Sequence, residues 1–433
     1  MQLLVWRFAM RNPCALPEKY LHSAVLTFFI TILPGAAFSL SLQEAEKLAL
    51  DTDPLIMRHK ASSRAYSAES TANSTLPDPK LRLGMFNVPL DTFSTTEDPS
   101  TQLRVGIQQE FPRGDSTELK QQQSQWLSQA ALAQAKDESL KLLMNVRDTY
   151  LNLYYEVKAA MIVNDAHQLF SKLVKITEDQ YASGRANQQD VIRADLELSR
   201  LEDRLTKIKS KEDEYRAYLA QWIGELAWQN IDSHMPTLPA MPAEDIDINQ
   251  LLTQHPSVMA ETARIEASRT MIDVARQDYK PGVGAFVEYR KRFGENVDGS
   301  DRSDMMAAMV TVDIPLFTEN RQDKNVTARE ENLNAARYSR DDRLRVLKRM
   351  LEKDRAIYRR LGEREYIYRN KLVSSAVENA EASLNAYQSG VTEFTTLMRA
   401  RITELDVRLE SLKVEVDRMR AQARLLYIAG DQQ

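Results

Sequence analysis

Two hydrophobic periods alternate along this chain. From about Ser116 to Tyr181, apolar residues such as Leu140, Leu143, Val146, Tyr150 and Leu153 recur at three- and four-residue steps, the spacing of one helix face. Elsewhere the period falls to two. Leu81, Leu83 and Met85 alternate with Arg82 and Gly84, and Leu103, Val105 and Ile107 with Arg104, Gly106 and Gln108. Further on, Val283, Ala285, Val287 and Tyr289 alternate with Gly284, Phe286, Glu288 and Arg290, and Ala308, Val310, Val312 and Ile314 with Ala307, Met309, Thr311 and Asp313. This alternation predicts four strands, near 80–90, 102–111, 283–292 and 304–314, each greasy on one side and wet on the other. Polar loops from Pro89 to Thr101 and from Asn296 to Ser303 join them in pairs.

The helical pattern occurs twice. After Pro112 the next proline is Pro236, and after Pro315 there is none, so two long stretches lack the commonest helix breaker. Both are rich in Ala, Leu, Glu, Lys, Gln and Arg, the good helix formers. Each carries a glycine well inside, Gly184 in the first and Gly390 in the second, suited to the reversal of a helical hairpin. The spacing predicts one hairpin over about 116–227 with its tip near 184 and another over about 320–427 with its tip near 390. A continuous helix from Ser116 to Tyr181 would rise ~100 Å.

Landmarks recur at a nearly constant offset. Tyr181, Ser183, Gly184, Arg193 and Ala194 reappear 206 residues later as Tyr387, Ser389, Gly390, Arg399 and Ala400. Asp53-Pro54 corresponds to His255-Pro256 and Pro79 to Pro281 at 202, and Phe111-Pro112 to Ile314-Pro315 at 203. An internal duplication is the economical reading. It gives a first repeat over 40–235, a linker over 236–254 and a second repeat over 255–433.

The first 39 residues differ in kind. Arg7, Arg11 and Lys19 precede an apolar run from Ala24 to Leu33, followed by Pro34, Gly35, Ala36, Ala37, Phe38 and Ser39. That order predicts a signal peptide over 1–39, cleaved after Ala37 or Ser39, with Met10 as a second possible start. A membrane anchor is the alternative, although the run is shorter than the ~20 residues a helix needs to span. Cys14, the only cysteine, would leave with the signal, so neither a disulfide nor a lipidated cysteine is expected.

Four strands of about ten residues have the length of tilted transmembrane strands but cannot close a barrel alone. Open edges are not tolerated in hydrocarbon, so other copies must complete the sheet, and three copies give twelve strands. A soluble pair of hairpins packed on the helices is the competing reading.

Five motifs stand in order along the chain: Leu42-Gln43-Glu44-Ala45 with Ala49-Leu50 and Asp53-Pro54, then Gln109-Glu110-Phe111-Pro112, then the first tip Tyr181-Ala182-Ser183-Gly184, then Asp313-Ile314-Pro315-Leu316-Phe317, and the second tip Tyr387-Gln388-Ser389-Gly390. In that order and spacing they resemble the TolC family of outer-membrane efflux proteins over essentially the whole mature chain. Leu76-Pro77-Asp78-Pro79 together with Glu110-Phe111-Pro112 is most similar to the heavy-metal branch. The resemblance implies a mixed α+β membrane protein. Its homotrimer would form a twelve-stranded outer-membrane β-barrel in outer-membrane lipid, continued by a long periplasmic α-helical barrel. It implies a passive exit duct for small substrates, metal cations or drugs, docked to a periplasmic adaptor and working with a proton-driven inner-membrane transporter. A periplasmic coiled-coil adaptor or scaffold without a membrane barrel is the second reading.

Composition adds mainly exclusions. With 57 basic and 62 acidic residues there is no positive field to draw a nucleic acid. His22, His59, His167, His234 and His255 form no close His/Cys cluster, and no glycine loop precedes a lysine, so no enzyme, metal or cofactor site is expected. Asp165 and His167 are not at helical spacing and read as a solvated face.

The tips carry the remaining candidates. In the family, carboxylates six and nine residues beyond the second tip glycine ring the periplasmic entrance; here those positions are Thr396 and Arg399, and their first-repeat counterparts are Asp190 and Arg193. Ion pairing of Asp190 with the two arginines is one expected closure, and plain solvation is the other. Gly184, Arg185, Ala186 and Asn187, with Gly390, Val391, Thr392 and Glu393, are expected at the far periplasmic end, exposed to an adaptor.

Overall fold

The computed structural model describes residues 39–241 and 247–430. Residues 1–38 of the expected signal peptide, Cys14 included, lie outside that range.

Helix α1 (Leu42–Thr52) opens on a capping box: the Ser41 side chain accepts from the Glu44 N–H, while the Glu44 carboxylate accepts from the Ser41 N–H at 3.1 Å. Helix α2 (Pro54–Asn73) follows directly. Asp53 caps it by accepting from the Ile56 N–H at 2.8 Å, and Pro54 occupies the first turn, where no backbone donor is needed. Strands β1 (Lys80–Phe86) and β2 (Gln102–Phe111) come next, then α3 (Ser116–Ala182) and its return partner α4 (Gln188–Ile223), which closes in a 3-10 turn, Gly224–Trp228.

The same order then recurs: α5 (Ile248–Thr253), α6 (Pro256–Gln277), β3 (Gly282–Arg292), β4 (Met305–Asp313), α7 (Gln322–Ile367), α8 (Val373–Gln388) and α9 (Phe394–Ala429). Between α7 and α8 the helical path continues through a π-helical turn, Tyr368–Leu372.

Three sequence expectations are corrected. β1 stops at Phe86 instead of near residue 90, because Asn87 turns the chain with φ +54° and its carbonyl is taken by the Thr101 hydroxyl. The expected linker 236–254 holds α5: Asp247 caps it by accepting from the Asn249 N–H at 2.9 Å, and Leu251 and Leu252 are buried. The long arm of the second hairpin, expected as one proline-free helical stretch, carries the π turn, whose five residues include neither glycine nor proline.

Helix α3, 67 residues and so ~100 Å long, is the axis of the packing. Its first part lies against α2 and α6, and its later part against α4 and α9. The contact with α2 is extensive and includes polar links: Ser63 with Ser128 at 3.0 Å, and Asn73 donating to Ser124 at 3.0 Å. Lower down, Val146, Tyr150, Leu151 and Leu153 are fully buried among Leu40, Leu219 and Ile223. Each such side chain contributes about 1.5–3 kcal/mol by leaving water.

With neighbours on more than one flank, α3 has no single dry stripe and broad solvated face, as its periodicity alone suggested. Asp137 and Arg147 are both 1% exposed. Arg147 donates to Glu46 at 2.7 Å, fixing α1 against α3. Asp137 accepts from Tyr427 at 3.1 Å and lies 2.9 Å from the Lys141 ammonium, fixing α9. Asp148 receives Arg420 at 2.8 Å, and the neighbouring Arg424 pairs with the fully buried Asp354 of α7 at 2.8 Å.

Helix α6 begins where α9 ends. His255 Nδ1 accepts from the Ser257 N–H at 3.2 Å as the α6 cap, and Nε2 lies 3.0 Å from the Tyr427 carbonyl, to which it donates. This needs a neutral imidazole. Burial pushes the His255 pKa below its ordinary 6.5, against the upward pull of the Asp137 carboxylate. Below pH 6.5 the unfolded chain therefore binds a proton that the folded junction excludes, and stability falls as pH drops through that value. His255→Gln should lower thermal stability at neutral pH and flatten the further loss on acidification. Melting followed by helical circular dichroism at a series of pH values checks this; parallel curves for both proteins would contradict it.

Candidate functional site: an amphipathic sheet and two hairpin tips

The strands form one antiparallel sheet in the order β1-β2-β3-β4. Register sorts its side chains into two faces. On one, Leu81 pairs with Ile107, Ile107 with Val287 and Val287 with Ala308; the next rung runs Leu83, Val105, Tyr289, Met306. Every residue of this face is apolar or aromatic except Gln109 and Lys291. It is also largely bare: Leu81, Leu83, Ile107 and Val310 are 57–67% exposed. So large an exposed apolar surface marks contact with lipid or protein.

The opposite face carries Lys80, Arg82, Arg104, Glu110, Glu288, Arg290 and Arg292. Glu288 is buried between Arg290 at 2.5 Å and Arg104 at 3.9 Å. Beyond the strands, Arg292 and Arg302 donate to the carbonyls of Pro99 at 3.1 Å and Thr96 at 3.2 Å, tying the two loops together. Strands β1 and β4 have one pairing partner each, so each leaves one edge open.

At the far end of the hairpins both reversals use one device. The Arg185 N–H donates to the Gln180 carbonyl at 2.7 Å and the Gly184 N–H to Tyr181 at 2.9 Å; the Val391 N–H donates to Ala386 at 2.9 Å and the Gly390 N–H to Tyr387 at 3.0 Å. These are Schellman caps, which require a left-handed residue, supplied by Gly184 at φ +73° and Gly390 at φ +71°. Arg185, Asn187 and Glu393 are exposed, and Thr392 is partly so.

The two tips touch. Tyr387 donates to Gln180 and packs edge-on against Phe394, with ring centroids 5.6 Å apart. Burial raises the Tyr387 pKa, and the negative charge of Asp190 pushes it the same way. Asp190 opens α4, Arg193 follows one turn on, and Thr396 and Arg399 are exposed on α9. Within the chain, no ion pair among the described residues joins Asp190 to Arg193 or Arg399.

Sequence reasoning missed the charged residues just above. Arg401 and Glu404 are buried and paired at 2.7 Å, with Arg408 on the same carboxylate at 2.7 Å, beside an open cavity of about 280 Å³ also lined by Asp165 and Glu381. Their three- and four-residue spacing was the available signal. His167 meets Glu202 of α4 at 3.4 Å rather than Asp165. Among the described residues no group of His, Cys, Asp or Glu converges as a metal site.

Residues 248–431 match the family model described as outer membrane efflux protein. Most of the chain shares its fold with solved structures. It is similar to the outer-membrane channel OprN at 19% identity and TM-score 0.76, over 90% of this chain and 89% of that one. It resembles CusC, studied for the conformational changes accompanying folding and transmembrane channel formation, at 14% identity and TM-score 0.78, over 95% of each chain. The outer membrane protein VceC of Vibrio cholerae matches at 19% identity and TM-score 0.75, over 90% of this chain and 96% of that one. No curated protein sequence matches the chain.

A Cβ at Gly184 or Gly390 meets nothing within 4 Å, so a side chain there costs only backbone conformation, about 1 kcal/mol or more. Gly184→Val and Gly390→Val should speed amide exchange in the adjoining helix turns and leave the sheet amides unchanged. Hydrogen-exchange mass spectrometry reads this directly, and unaltered tip protection would refute the capping role.

Proposed function

We propose that three copies of this chain form the outer-membrane duct of a tripartite efflux system, each giving four strands to a twelve-stranded barrel and its hairpins to a periplasmic helical tunnel. The observation that carries the proposal is the sheet: one face almost wholly apolar and exposed, the other charged, with an open edge on β1 and on β4. Such a sheet is stable in a bilayer only when its edges meet other strands, because each unpaired N–H or C=O in hydrocarbon costs several kcal/mol. Among the described residues no helix is long and apolar enough to cross a membrane, so the sheet is the spanning element of the proposal.

The repeated element order supports an ancestral duplication, which doubles the strands per chain and gives a trimer six hairpins. The tips, Gly184 to Asn187 and Gly390 to Glu393, are proposed as the docking surface for a periplasmic adaptor. Asp190, Arg193, Thr396 and Arg399 are proposed to set the periplasmic aperture, the carboxylate and the two guanidiniums meeting across the threefold axis. The duct itself is passive, and an inner-membrane transporter, proton-driven on this reading, supplies the work.

Cell fractionation and mass measurement in mild detergent test the assembly. The mature protein should appear in the outer-membrane fraction, require detergent, and have three times the chain mass. Recovery of a folded monomer from the detergent-free periplasm would favour the adaptor or scaffold reading instead.

A further inference from the structure

The polar face of the sheet is not neutral. Five cationic side chains, Lys80, Arg82, Arg104, Arg290 and Arg292, share it with three carboxylates, Glu110, Glu288 and Asp313. The carboxylates are unevenly placed. Glu110 and Asp313 lie toward the helical end of the strands, where Lys80 meets Glu110 at 2.6 Å and Arg113 lies 3.8 Å from Asp313. Mid-sheet, Glu288 alone faces three guanidiniums. Arg290 and Arg104 converge on it, and Arg82 has no ion-pair partner among the described residues.

Two of these guanidiniums are held against the wall by aromatic rings. Arg104 sits 3.9 Å from the centroid of Phe86, and Arg82 lies 5.4 Å from that of Phe286. Arg104 Nε has no hydrogen-bond partner. Stacking fixes the charges on the surface without neutralising them.

Resting on the duct reading, we propose that this belt makes the barrel segment anion-selective, favouring small anionic solutes such as carboxylates and phosphate esters over free cations. Three copies place at least nine guanidiniums against three Glu288 carboxylates round one water-filled cylinder. Low-dielectric walls focus the field of such a ring, and the Debye length of ~8 Å at physiological salt lets it reach well into the lumen. A free metal cation crosses this segment against the field, whereas an anionic complex of the same metal crosses with it.

Gln108 lies on the same face, paired in register with Lys80 and Phe286, and provides a reporter position. A fluorophore on Gln108→Cys in the detergent-purified full-length trimer is titrated with iodide, with caesium and with a lipid-soluble quencher. The expected result is iodide quenching severalfold stronger than caesium quenching at low salt, the ratio falling toward one in Arg82→Gln and in Arg82→Gln/Arg104→Gln. Arg82→Gln breaks no ion pair among the described residues, so it keeps the test valid should the double variant fold poorly. Equal quenching by the two ions, or a ratio unmoved by Arg82→Gln, overturns the anion preference. Quenching by the lipid-soluble probe alone places Gln108 in the bilayer and overturns the duct reading beneath it.

Discussion

Hydrogen bonds left over at the two sides of a four-stranded sheet set the terms for everything else in this chain. Strands β1 and β4 each turn one row of backbone donors and acceptors outward, and the apolar face between them is the kind that seeks lipid. In water a charged residue or a bulge can blunt such an edge. In hydrocarbon it must be paired, and the chain holds no fifth strand among its described residues with which to pair it. The proposed barrel of three chains answers that constraint, and the repeated element order makes four strands available from each.

The helices carry the same plan away from the sheet. Each pair of strands is entered from a shorter helix, α2 or α6, and left by a long one, α3 or α7. The returning helices α4 and α9 therefore reach only part of the way back and end beside α1 and α6. Those junctions are held by specific chemistry: Arg147 with Glu46 at one, and His255 with Tyr427 and Asp137 with Arg343 at the other. Breaking a buried pair of this kind costs about 3–5 kcal/mol, which ties the helical wall to the position of the sheet.

The strands were legible because a period of two with one apolar side has few other meanings, and Leu81, Leu83, Val105 and Ile107 share a face as alternation requires. Both tips were legible for a similar reason: a glycine that recurs behind a Tyr and a Ser in each of two long proline-free stretches has one economical use. Helices α1, α2 and α6 were not assigned, although Ser41 with Glu44, Asp53-Pro54 and His255-Pro256 are helix-start signals; the two proline pairs had served as repeat landmarks, and the first also as a family motif. The π turn at Tyr368–Leu372 has no composition to announce it. The burial of Asp137, Arg147 and Asp354 was not legible, because periodicity describes one helix at a time while their burial depends on two neighbours.

Closure of the β1 edge on the β4 edge of another copy is the claim on which the assembly rests, and cysteine pairing across that seam tests it most directly. Leu83→Cys is combined in turn with Met306→Cys, Ala308→Cys and Val310→Cys, all on the apolar face, in a chain whose native cysteine, Cys14, falls in the expected signal peptide. The account expects one register to give a covalent trimer on oxidation, with none from the single variants. Cross-links confined within one chain, or absent at every register, would contradict it.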